Sequence, residues 1–136
     1  MSERQMVRGI VLAHGSMAQG IVDAVARISG VVDQALVAVT NDGKSPETLE
    51  GELDEHLGRG PLILFTDLPS GSCAVAARLC CRQGSEVAVI SGVNLPVLLD
   101  FIFHRDLPLR ELVPRLLAKG RQGMTSFPDY SMDGAV

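Results

Sequence analysis

Four short apolar runs, each closed by turn residues and followed by a stretch with helical spacing, constrain this chain more than any other feature. The runs are Val7 to Ala13, Ala35 to Thr40, Pro61 to Thr66 and Glu86 to Ile90. Their length and aliphatic content read as buried strands. The first intervening helix is predicted over Met17 to Ser29, with Met17, Ile21, Val25 and Ile28 on one side. Asp23 and Arg27, four apart, form an exposed pair, and Gly30 is a natural stop. The second helix runs from Pro46 to about Leu57, capped by Ser45 with proline in the first turn, and Leu49, Leu53 and Leu57 make its apolar stripe. The third is about Cys73 to Gln83. Leu95 to Phe103, apolar apart from Pro96 and Asp100, reads as a short helix that is central or covered by a partner. Leu109 to Lys119 reads as a fifth helix, broken by Gly120 and Gly123. Gln122 to Phe127 reads as a last short strand, and the tail from Pro128 is polar.

Strand and helix in alternation call for an α/β fold: a doubly wound, mainly parallel sheet with helices on both faces. With right-handed crossovers, the flavodoxin-like order 2-1-3-4 sets strands 1 and 3 side by side at the switch point, where such sheets bind ligands. The expected organisation is a single domain over residues 1–127 followed by a tail over 128–136.

The 46% hydrophobic content supports a core without disulfides. The net charge is -4 and Lys and Arg are scattered, which argues against a nucleic-acid partner. No apolar run reaches membrane-spanning length, and Met1 to Arg8 is polar rather than signal-like. The three cysteines, Cys73, Cys80 and Cys81, form neither a disulfide framework nor a zinc spacing. The expectation is a cytoplasmic protein with no metal and no cofactor.

The chemistry concentrates where strand 1 ends, at Ala13-His14-Gly15-Ser16. An unprotonated imidazole nitrogen is a nucleophile at neutral pH. A carboxylate on the other ring nitrogen fixes the tautomer and stabilises positive charge on the ring. Asp67, ending strand 3, would then stand beside His14. Ser70-Gly71-Ser72 precedes helix 3, and backbone N–H groups and hydroxyls at a helix N-terminus cradle anions. Together they suit reversible phosphoryl transfer. Each element also has a bland reading: a surface histidine, a turn aspartate, a capping serine. Their convergence at one switch point raises the functional one.

Other motifs fall away. Gly15 to Gly20 has P-loop glycine spacing, but Ile21 stands where lysine belongs. There is no GxGxxG after strand 1. Asp67 has the place of a receiver-domain phospho-acceptor, but His14-Gly15 replaces the acidic pair expected after strand 1. Cys73 reads as small-residue packing rather than a thiolate activated by the helix N-terminus. His56 and His104 read as structural or solvated.

At these residues the chain resembles the IIA component of the mannose-type bacterial phosphoenolpyruvate-dependent sugar phosphotransferase system. Three pieces carry the resemblance: Gly9 to Gly15 (GIVLAHG), Phe65 to Ala74 (FTDLPSGSCA) and Ser91 to Leu99 (SGVNLPVLL). It extends over about Met6 to Phe127. It implies a transferase, a phosphohistidine relay, in which His14 takes a phosphoryl group from the phosphocarrier protein HPr on its far (tele) nitrogen. The group then passes to a IIB component of a membrane sugar permease complex. Asp67 would orient the ring, and Ser72 with Ser70 and Gly71 would bind the phosphoryl oxygens. The resemblance also implies a homodimer that exchanges a final strand, here Gln122 to Phe127, with Leu95 to Phe103 near the contact. Some members carry an aromatic residue and a second glycine where this chain has Pro69 and Ser70. No IIB domain follows, so the IIB partner is expected to be a separate protein.

Two other functions compete. A tetrapyrrole metal chelatase also places His-Gly-Ser after its first strand, but it needs further ligands near the same pocket, and His56 and His104 are predicted on helices away from it. A regulatory phospho-binding module would keep the fold without a transport role.

Overall fold

The computed structural model describes residues 5–31, 34–83 and 86–130. In chain order the elements are β1 (Arg8–Ala13), α1 (Met17–Ser29), β2 (Leu36–Thr40), α2 (Pro46–Asp54), β3 (Leu62–Thr66), α3 (Ser72–Gln83), β4 (Val87–Ser91), α4 (Leu95–Ile102) and α5 (Leu109–Gln122). The sheet order is β2-β1-β3-β4, and all three pairings are parallel. This is the doubly wound, flavodoxin-like arrangement that alternation and crossover handedness dictate.

Strand periodicity divides the core in two. Val7, Val11 and Ala13 of the first strand region and Ile63 and Phe65 of β3 point to one face, beneath α1, α4 and α5. Ile10, Leu12, Leu62 and Leu64 point to the other, beneath Leu49 and Leu53 of α2 and Cys73, Ala77 and Cys80 of α3. The first face closes tightly over Phe65 and Phe101, whose rings meet edge-to-face with centroids 5.2 Å apart. Gly9 lies directly beneath. A Cβ there would come within 2.9 Å of the Phe101 ring and of Leu36 Cδ1, so only glycine lets β1 and α4 approach this closely.

The helix ends follow local chemistry. Ser45 Oγ accepts from Thr48 N at 3.1 Å, with Pro46 following. Asn94 Oδ1 accepts from Val97 N at 2.9 Å. Gly30, at φ +76°, closes α1. Asp100 grips Arg115 through both carboxylate oxygens, at 2.9 and 3.0 Å, tying α4 to α5.

Three expectations are corrected. α2 ends at Asp54 rather than near Leu57, because the chain tightens through the short-range bonds His56 N to Leu53 O and Leu57 N to Asp54 O. Gly120 does not break α5. It lets the helix pack on α4, with Val97 Cβ 3.4 Å from where its own Cβ would stand, and its carbonyl accepts from Asn94 Nδ2 at 2.8 Å. The last strand does not form within the single chain: Gln122 closes α5, and residues 123–127 pair with no described strand. Met124 and Phe127 there are exposed, so the segment buries no apolar face that would hold it as a strand, although β4 is an edge strand of the described sheet. Of the expected tail, residues 131–136 lie outside the described residues. Among the described residues no helix is long and apolar enough to cross a membrane.

Candidate active site

Parallel pairing brings the site together. Leu12 of β1 sits opposite Thr66 of β3, and Ala13 opposite Thr40 of β2. The residues that leave these strands, His14, Asn41 and Asp67, therefore emerge side by side at the carboxyl edge. Asp67 Oδ2 accepts twice from His14, from the backbone N at 3.0 Å and from ring Nδ1–H at 2.7 Å. Its other oxygen accepts from Leu68 N at 2.9 Å. Burial would raise the Asp67 carboxyl, but the bonds from His14 and Leu68 outweigh it and hold the group below the ordinary carboxylate value. Asp67 is thus a charged acceptor, 10% exposed at its side chain, facing a histidine whose side chain is 46% exposed.

With Nδ1 occupied, the far nitrogen Nε2 carries the free lone pair. It faces the start of α3. Gly71 has φ +92°, and a Cβ there would stand 3.9 Å from Nε2. Gly71 O accepts from Val75 N at 3.0 Å, opening the helix. The first N–H groups of a helix have no partner within it and carry the positive end of its dipole. Ser72 is half-buried at this terminus, while Ser70 is exposed in the loop. The loop is pinned by Arg78 Nη1 donating to Pro69 O at 3.0 Å, and by Thr66 Oγ1 donating to Leu68 O at 2.9 Å. The expected contact between His14 and Asp67 is therefore formed, and Gly71 and Ser72 open the helix beside it.

Two neighbours escaped the sequence reading. Asn41 Nδ2 donates to Ser72 Oγ at 3.4 Å. Cys73 Sγ lies 3.9 Å from His14 Nδ1. Burial, and then the charge of Asp67, push the Cys73 thiol up, so it packs as the sequence suggested, although against the site. Asn41 belongs to no motif, and Cys73 lies within FTDLPSGSCA with no site role assigned to it; both reach the site through the loop and helix geometry after β2 and β3.

His14, Asp67 and Cys73 hold one potential ligand atom each within 4.8 Å of one another, the grouping of this kind found among the described residues. Nitrogen, oxygen and sulfur suit zinc. The fit is poor, however: a metal would have to break the 2.7 Å bond between His14 and Asp67 and ionise a thiol that burial keeps protonated. The other histidines are elsewhere. His56 O accepts from Arg8 at the opposite end of β1. His104 Nδ1 donates to Asp100 O at 2.8 Å, in the segment where Arg105 O accepts from Val7 N.

Residues 9–113 match the family described as PTS system fructose IIA component, EIIA-man. A sorbose-specific EIIA component from Klebsiella pneumoniae is 29% identical over 100 residues, 71% of this chain and 73% of that protein. Among solved structures, EIIA from Streptococcus agalactiae superposes with a TM-score of 0.82 at 21% identity, covering 90% of this chain and 98% of that one. A mannose/sorbose-specific IIA subunit from Enterococcus faecalis gives 0.80 at 21% identity, covering 90% and 95%.

Proposed function

Given that the chain belongs to the fructose/mannose-type IIA family of the sugar phosphotransferase system, we propose that it is a phosphoryl carrier working through His14. The observation that carries this reading is the 2.7 Å bond from His14 Nδ1 to Asp67. It holds the neutral ring in the tautomer whose Nε2 is nucleophilic.

In the forward step, Nε2 attacks the phosphorus of phosphohistidine on HPr. The N–P bond to HPr breaks as the bond to Nε2 forms, and HPr leaves with its imidazole neutral. The proton on Nδ1 stays on the ring, where Asp67 balances the positive charge of the phosphorylated imidazole. Phosphoryl transfer is governed by positioning and by stabilising charge on the peripheral oxygens, and the α3 N-terminus at Gly71 and Ser72 supplies N–H groups for them. Transfer to a IIB component reverses the step. No metal or cofactor is needed in this scheme.

Met17, whose backbone N donates to His14 O, and Leu68, next to Asp67, carry exposed apolar side chains, suited to successive docking of HPr and IIB. Exposed Met124 and Phe127 follow α5, and β4 has a free sheet edge among the described residues. Both support a homodimer in which residues 122–127 complete the partner's sheet. The protein would work in the cytoplasm, meeting the membrane permease only through its partners.

The test is transfer of label from phosphoenolpyruvate through enzyme I and HPr. Wild type should become labelled and His14→Ala should not. A wild type that stays unlabelled, or a variant that labels equally, contradicts the reading.

A further inference from the structure

We propose that Asn41 is a positioning residue for this transfer, acting through the hydroxyl of Ser72; the role rests on the carrier reading above. Asn41 leaves β2 as His14 leaves β1. Its backbone is held against the end of β1, with Asn41 N donating to Ala13 O at 3.3 Å and Thr40 Oγ1 donating to Gly15 O at 2.8 Å. The turn that follows uses Asn41's carbonyl, which accepts from Lys44 N at 3.1 Å, together with Gly43 at φ +68°. The side chain is not spent on the turn. It reaches across to α3, where Nδ2 donates to Ser72 Oγ at 3.4 Å.

That direction has a consequence. A hydroxyl has one proton to donate and two lone pairs to accept with. Asn41 occupies a lone pair of Ser72, so the Ser72 proton is available to another acceptor, the Cys73 sulfur beside it or an incoming phosphoryl oxygen. Gly71, the preceding residue, packs against the Nε2 edge of His14, so phosphoryl oxygens on Nε2 would arrive there. Meanwhile Asn41 Oδ1 is buried with no hydrogen-bond partner among the described residues. Leaving a buried amide oxygen unpaired is costly, and such groups concentrate where function demands the arrangement. In the structure it is Nδ2 that faces Ser72 Oγ, as a donor, and Oδ1 that is left over.

The experiment compares wild type, Asn41→Ala, Asn41→Asp, Ser72→Ala and Asn41→Ala/Ser72→Ala, using purified enzyme I and HPr with labelled phosphoenolpyruvate. Asn41→Ala should slow phosphoryl acceptance by about three- to tenfold, the size of one net hydrogen bond, with Tm close to wild type. In the Ser72→Ala background it should cost less than about twofold, since coupled residues are non-additive. Asn41→Asp keeps the shape but turns the bond around and adds charge near the phosphoryl group, so it should be slower than Asn41→Ala. It carries the test alone if Asn41→Ala does not fold. Wild-type rates in both Asn41 variants, or a full additive loss in the double variant, overturn the role of Asn41 while leaving the carrier reading intact. A wild type that takes no label overturns both.

Discussion

Asp67 Oδ2 holds His14 at two points, the backbone N at 3.0 Å and ring Nδ1 at 2.7 Å. One carboxylate oxygen thus fixes both where the residue leaves β1 and how its ring is turned. The chelate is possible because β1 and β3 are parallel neighbours ending in register, with Leu12 opposite Thr66.

Asp67→Asn should cost far more in transfer than in folding. An asparagine has a single acceptor oxygen: when it stays on Leu68 N, its NH₂ takes the place of Oδ2 and faces both the His14 backbone N–H and Nδ1. That favours the tautomer with the proton on Nε2, which has no lone pair for attack. Losing the orienting partner should slow transfer about 10- to 100-fold. Stopped-flow transfer from phospho-HPr, beside thermal unfolding, separates the two effects; a large fall in Tm with normal transfer would contradict the assigned role.

Gly71→Ala should impair both folding and transfer. An L-residue at φ +92° is strained, at about 1–3 kcal/mol. The added methyl would also stand beside Nε2. Chemical denaturation measures the first loss and label uptake at a temperature where the variant is folded measures the second.

Gly9→Ala should destabilise without altering the site. Its methyl would meet Phe101 and Leu36 at 2.9 Å, and overpacking of this kind costs about 1–3 kcal/mol. Urea unfolding should show the loss, while folded protein transfers phosphate at the wild-type rate.

Stability should fall on acidification in two windows. Burial, and then the charges of Arg8 and Arg59, lower the His56 pKa. The unfolded chain therefore takes up this proton first, and stability declines as pH drops below about 6.5. Asp67 is held below its ordinary value, so its contribution is complete above about pH 4 and is lost as pH falls through its lower folded value. His56→Gln should flatten the first slope alone and Asp67→Asn the second alone, as read from denaturation midpoints across pH.

The reach of sequence reasoning follows from what sets each contact. His14 and Asp67 were legible because strand order alone decides that the ends of β1 and β3 adjoin. The helix cap at Ser45 and the stop at Gly30 follow from local chemistry. Asn41 and Cys73 were not legible at the site, because their contacts depend on how the loop after β2 meets the first turn of α3. Gly120 has the composition of a breaker, yet its close approach to Val97 makes it part of α5. Residues 122–127 have strand-like composition, but Gln122 closes α5 and Met124 and Phe127 are exposed rather than packed on the sheet, which composition alone does not decide.

The central claim is that His14 accepts phosphate on Nε2, and the direct measurement is NMR of the phosphorylated protein with ¹⁵N-labelled histidine. Ring nitrogen and proton correlations, with phosphorus coupling, identify the substituted nitrogen. Coupling to His14 Nε2, with Nδ1 still protonated and bonded to Asp67, is the predicted result. Phosphorus on Nδ1, or on any residue other than His14, would contradict the account.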